Sequence, residues 1–134
     1  MHVDYAFICD YAESKDKVNA LGIGFSTIYA PQLPMKHPHF HVVVQLRFSR
    51  SEIGIKDFMA LLIDADGVDV INPLTGRLEV SQPSHGQLGN SFRINMGFNN
   101  VEFKEYGSYS IRVSVSGQEV VDIPLRVAEP LMNA

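Results

Sequence analysis

A chain of 134 residues, 46% of them hydrophobic and 19% charged, can bury the core of one ordinary domain spanning 1–134. Its formal charge of −4, with acids and bases interspersed and no run of Lys or Arg, argues against a nucleic-acid partner, which needs clustered cations. Cys9 stands alone, which excludes an internal disulfide and points to a reducing cytoplasm. The N-terminus lacks the basic and apolar regions of a signal peptide, and no apolar run approaches the ~20 residues of a membrane helix, so no membrane association is expected.

Val3 to Asp10 reads as a first strand, followed by a charged turn at Glu13 to Lys17 and a second strand, Val18 to Tyr29, with Gly22 and Gly24 inside it. The two look like a hairpin. A proline-rich loop through Pro31, Pro34 and Pro38 leads into a third strand. There Phe40, Val42, Val44, Leu46 and Phe48 face one way, and His39, His41, Gln45 and Arg47 the other with Val43 among them.

Ile55 to Ile63 is ambiguous. Ile55, Phe58, Met59 and Leu62 fit a helical period, and Ser49 with Glu52 resembles a capping box. Gly54 near the start and the Asp66-Gly67 turn signal beyond favour a strand. As a strand it is apolar on both faces, so the Met59, Leu61 and Ile63 face needs cover from a loop, a helix or a second subunit.

Shorter strands follow at Val68 to Ile71 and Arg77 to Ser81, and a longer one at Leu88 to Phe98. The clearest alternation comes last: Tyr109, Ile111, Val113 and Val115, then after Gly117 Val121, Ile123, Leu125 and Val127, an antiparallel hairpin. Pro124 removes a ladder donor, so the final strand is expected at an edge or with a bulge. About eight or nine short strands at this spacing predict an all-β, antiparallel two-sheet sandwich, compatible with Greek-key or immunoglobulin-like order. The Cys, Trp, Cys core of antibody domains is missing, since there is no Trp.

The order of several landmarks resembles a family of small bacterial β-sandwich proteins of unknown function. They are Asp10-Tyr11-Ala12 with Leu21-Gly22-Ile23-Gly24, His37-Pro38, Asp64-Ala65-Asp66-Gly67, and Asn95-Met96-Gly97-Phe98 leading to Tyr106-Gly107-Ser108-Tyr109, with Pro124-Leu125-Arg126-Val127 at the close. Tyr106-Gly107 stands where that family usually has Pro-Gly, which leaves the turn intact. The resemblance implies a fold and brings no catalytic residue, substrate or cofactor.

Among chemical candidates, His37, His39 and His41 are the sharpest, because alternate strand residues share a side and His-x-His is a metal-ligand spacing. His85, Glu52 or His2 would have to complete the set, as in a cupin-like site. Against this, Phe40, Val42 and their row claim the core face, which leaves the imidazoles on the wetter side. Asp64, Asp66 and Asp69 around Gly67 could offer carboxylates to calcium, but the segment lacks the length and terminal Glu of an EF-hand and reads instead as a hairpin turn. Cys9, beside Tyr5 and Phe7, reads as an inert buried thiol. Gly22 to Thr27 completes neither a nucleophile elbow nor a dinucleotide fingerprint, and Ser84-His85-Gly86 has no visible acid partner. The chain is therefore expected to be a non-enzymatic interaction or self-association module, a homodimer or partner of another protein through Met59, Leu61 and Ile63. The alternative is a metal- or ligand-binding β domain at the histidines.

Overall fold

The computed structural model describes residues 1–82 and 90–131. Ten strands follow in chain order: β1 His2–Cys9, β2 Tyr11–Ser14, β3 Val18–Leu21, β4 Thr27–Tyr29, β5 Met35–Phe48, β6 Gly54–Asp64, β7 Leu74–Val80, β8 Asn90–Phe103, β9 Gly107–Val115 and β10 Gln118–Ala128. The expected start of β8 at Leu88, the His85 candidate and the Ser84-His85-Gly86 loop lie outside the described residues.

The strands form a three-stranded sheet, β1-β5-β8, and a five-stranded sheet, β4-β10-β9-β6-β7, with β2-β3 as a separate hairpin. The two larger sheets face each other across one core. Phe40, Val42, Val44, Leu46 and Phe48 of β5 meet Leu62 of β6, Ile111 and Val113 of β9 and Leu125 of β10, all nearly inaccessible to water. This is the β-sandwich that the alternation dictates: one face of each strand is wet and the other dry. β5 and β8 pair along their full length, from Met35 opposite Phe103 to Phe48 opposite Asn90.

The β9–β10 hairpin forms as its pattern requires, with a bulge between Glu119 and Val121. The neighbouring β4 pairs with β10 in parallel, the one departure from antiparallel order among the described residues. Arg126 donates its N–H to the carbonyl of Ser26, the residue just before β4, at 2.8 Å. Two residues earlier on the same side sits Pro124, which has no N–H to offer, and there β10 runs as an open edge. Proline blunts that edge against pairing with another chain.

Three local expectations change. Val18 to Tyr29 is not one strand. Gly22 and Gly24 adopt φ of 69° and 87°, which turns the chain between β3 and β4. β3 pairs with β2, while β1 pairs with β5, so the first hairpin is β2–β3. Val68 to Ile71 makes only an isolated bridge, Ile63 with Asp69. Ser49 and Glu52 do form reciprocal contacts, the Ser49 N–H donating to Glu52 Oε1 at 3.0 Å, yet they close a 3-10 turn, Arg50–Glu52. Gly54, at φ 132°, then sends the chain into β6 as a strand.

Candidate functional site

The outer face of the three-stranded sheet is built in rows, because register places residues of its strands side by side. Tyr5, Gln45 and Arg93 form one row; Phe7, Val43 and Asn95 the next; Cys9, His41 and Gly97 the third; His39 and Asn99 the fourth. An exposed sheet face would be polar throughout, yet Val43 and Cys9 are fully buried. The β2–β3 hairpin folds back over this face, and Ala12 joins Cys9 and Val43 in a small second core, with Tyr5, Phe7, Val18 and Ala20 packed around it.

Polar contacts fasten the cover. Arg93 donates from Nη1 to Ser14 Oγ at 3.2 Å and to the Lys15 carbonyl at 3.3 Å, both at the turn end of the hairpin. Its Nη2 donates to Gln45 Oε1 at 3.1 Å and its Nε to the Tyr5 hydroxyl at 3.2 Å. Asn95 Nδ2 donates to the Ala12 carbonyl at 3.2 Å. Gln45 in turn donates to Asp4 Oδ2 at 3.0 Å, and that bond, with Arg47 beside it, holds the Asp4 carboxyl below its ordinary pKa.

The cover is incomplete. A hollow of about 890 Å³ opens between β3 and the Tyr5 and Phe7 rings, which stack at 5.8 Å, with Gln45 and Arg93 at one side. Leu21 and Ile23 reach its rim. Beyond the Gly22 turn lies a second hollow, about 660 Å³, where Ile23 reappears with Phe25, Tyr29, Asp10 and His37. Tyr11 opposes Leu21 across the hairpin. Tyr11, Leu21, Ile23 and Tyr29 thus make a ridge between and beside the hollows, exposed by 49%, 68%, 58% and 58%.

The three histidines do not converge. His39 and His41 lie together, ring centroids 4.5 Å apart, with the Tyr11 ring 5.3 Å from His41. Gly97 lies beneath both imidazoles, and a Cβ there would make ordinary contact with them. His39 Nδ1 bonds Asn99 Oδ1 at 2.6 Å and His41 Nδ1 bonds Asn95 Oδ1 at 2.8 Å. The Asn95 amide nitrogen is committed to Ala12, so its oxygen accepts from His41 Nδ1, and His41 Nε2 is buried with no partner among the described residues.

His37 turns to the opposite side, 5.8 Å from Phe40 and 6.4 Å from Phe25, where burial lowers its pKa. The reason lies across the ladder. Asn100 has φ of 51°, which shifts the alternation of β8 so that Phe98 and Val101 are both buried, and the facing stretch of β5 follows. Among the described residues, no group of three or more His, Cys, Asp or Glu is arranged to hold a metal.

Asp64 Oδ1 accepts the N–H groups of Asp66 and Val68, each at 2.9 Å, and Gly67 has φ of 80°, so this carboxylate organises the turn. Burial and the nearby Asp10 charge push the Cys9 thiol pKa up, which keeps it unreactive. On β6, Ile63 is buried, Leu61 is half-buried and Met59 is 41% exposed beside a hollow of about 420 Å³.

The groove residues Tyr5, Phe7 and Arg93 were not marked by any motif. Their signal is that β1 is apolar on both faces, Ala6 and Ile8 toward the sandwich and Tyr5, Phe7 and Cys9 away from it.

A family model described as a family of unknown function, DUF6941, matches residues 4–128. The chain belongs to this family. No curated protein matches it. Among solved structures, a β-glucosidase from Listeria innocua in complex with glucose is similar at a TM-score of 0.46 and 14% identity, over 70% of this chain. The chain spans 14% of that enzyme's length. No described helix is long and apolar enough to cross a membrane.

Proposed function

We propose that this member of DUF6941 is a non-enzymatic interaction module that docks another protein on the hairpin side of the sandwich. The supporting observation is the ridge of Tyr11, Leu21, Ile23 and Tyr29, which stands in water beside the hollows of about 890 and 660 Å³. Scattered exposed apolar residues are ordinary, whereas a contiguous set flanking concave surface marks a binding region. The Met59 face is the weaker candidate, because Ile63 and Leu61 are already covered in part by the chain itself. A buried, unpaired Cys9 supports a reducing compartment such as a bacterial cytoplasm.

The test compares proteins retained by the wild-type chain, by Leu21→Asp/Ile23→Asp and by Met59→Asp, each shown to be folded by circular dichroism. A partner kept by wild type and Met59→Asp but lost by the ridge variant is the expected result. An identical retained set for all three would refute the reading. Light scattering at micromolar concentration checks whether the partner is a second copy.

His41 Nε2 favours a second reading, a metal- or ligand-binding role for His39 and His41. Their Nδ1 atoms are oriented by Asn95 and Asn99 as the distal nitrogens of metal-ligating histidines are. Calorimetric titration of tag-free protein with zinc and nickel, repeated on His39→Gln/His41→Gln, decides it. Equal heats from both proteins would remove the metal.

A further inference from the structure

We infer that the partner docks as an extended segment added to the free edge of β3, with alternate apolar side chains on Tyr5 and Phe7 and a carboxylate toward Arg93 and Lys17. This rests on the docking reading above and specifies its mode.

The backbone supplies the first argument. β3 is paired on one side only, by β2. The Leu21 carbonyl points to that side, where it accepts from the Asp10 N–H at 2.9 Å. In a strand the N–H and C=O groups alternate in direction, so Asn19 and Leu21 address β2 while Val18 and Ala20 direct theirs at the open edge. That edge borders the 890 Å³ hollow, so an incoming strand would find main-chain partners beside it.

Side chains supply the second argument. An added strand places every second side chain downward, about 7 Å apart. Tyr5 and Phe7, two residues apart on β1, form a floor of that spacing, and both are only half-buried. The open part of β10 is less prepared, since it carries Pro124.

Charge supplies the third. Of the charged residues lining the hollow, Glu13 is met by Lys15 at 3.3 Å. Arg93 donates only to neutral oxygens, and neither it nor Lys17 has a carboxylate partner among the described residues. The groove thus carries uncompensated positive charge at its polar side, which complements an acidic side chain or a C-terminal carboxylate.

The probe is a random twelve-residue peptide library displayed on phage and selected against the full chain. Enriched peptides should carry apolar residues two apart next to Asp, Glu or a free C-terminus. N-methylation at backbone positions of one parity should weaken binding about tenfold or more, with the other parity tolerated. On binding, the Val18 and Ala20 amides should exchange more slowly. If peptides bind, and Leu21→Asp/Ile23→Asp abolishes binding while both methylation parities are tolerated, strand addition is wrong and the docking surface stands. If no peptide is enriched, or the enriched ones are indifferent to the ridge variant, strand addition is also overturned, and the retained-partner comparison separately decides the docking surface.

Discussion

Arg93 fastens the hairpin to the sheet, and Arg93→Met tests that role, removing at the same time its bonds to Gln45 and Tyr5 within the sheet. Methionine keeps much of the apolar stem but loses the bonds to Ser14 Oγ and the Lys15 carbonyl. A hydrogen bond from a charged donor contributes about 1.5–3 kcal/mol when well sheltered and less at a partly exposed site, so the pair sets a loss of about 1–3 kcal/mol. The hairpin's own core is small, essentially Ala12, Val18 and Ala20 on Cys9, Val43 and Phe7. The loss therefore falls on opening of the cover, while the sandwich between β5 and β9 keeps its contacts. A change of that size corresponds to roughly 5- to 150-fold in an opening equilibrium. Hydrogen exchange should accelerate by this factor at Glu13 and Asn19, which pair across the hairpin, and stay unchanged at Val44 and Ile111. Uniform acceleration over all strands, or none in the hairpin, would refute the assignment of Arg93 as a local clamp.

Leu62→Ala, at a fully buried position between the sheets, should cost about 2–5 kcal/mol in urea unfolding, whereas Met59→Ala on the outer face of the same strand should cost under about 1 kcal/mol. Gly22→Ala should destabilise more than Gly67→Ala. Both positions have positive φ, worth about 1–2 kcal/mol, but only at Gly22 would the new Cβ collide with the Asp10 carboxylate; equal losses would count against that contact. Burial holds the folded-state pKa of His37 below its ordinary value near 6.5, so the unfolded chain takes up the proton first. Stability should be complete above that value and fall as pH drops below it, and His37→Phe should remove this limb from the pH dependence of the denaturation midpoint. Glu52, held to about 2 by the Met1 ammonium and Ser49, belongs to a separate acid limb, whose loss should run from about 4.5 down to about 2.

The parts of the fold that were legible in the sequence share one property: their partner is next to them in the chain. β9 and β10 alternate on both sides of a single turn at Gly117, so pattern and pairing coincide. The strand at β6 was legible too, because Gly54 and the Asp64–Gly67 turn bracket it tightly. β1 shows the opposite case. Its alternation is regular, but nothing local says that its ladder partner is β5, more than thirty residues away, and not the next segment. The histidines failed as a trio for a related reason. The phase of β5 at Pro38 follows from φ at Asn100 on another strand, and a residue count along His37, His39 and His41 contains no trace of it.

The site itself was hidden by its own chemistry. A catalytic or metal centre concentrates unusual residue types, whereas this groove consists of ordinary strand residues made special by what covers them. Two features of the sequence nonetheless carry its imprint. Val43 interrupts a row that otherwise reads His39, His41, Gln45 and Arg47, and Tyr5, Phe7 and Cys9 give β1 an apolar row on the side opposite Ile8. In a two-layer sandwich each such face should be wet, so apolar residues at the same level of adjacent strands require a third layer. Among the described residues the segment between Tyr11 and Leu21 supplies it, and it is too short, four residues per strand, to shield both Val43 and the Tyr5–Phe7 pair. What it leaves uncovered is the groove, which makes incomplete cover by β2–β3, and not any single side chain, the physical origin of the proposed binding surface.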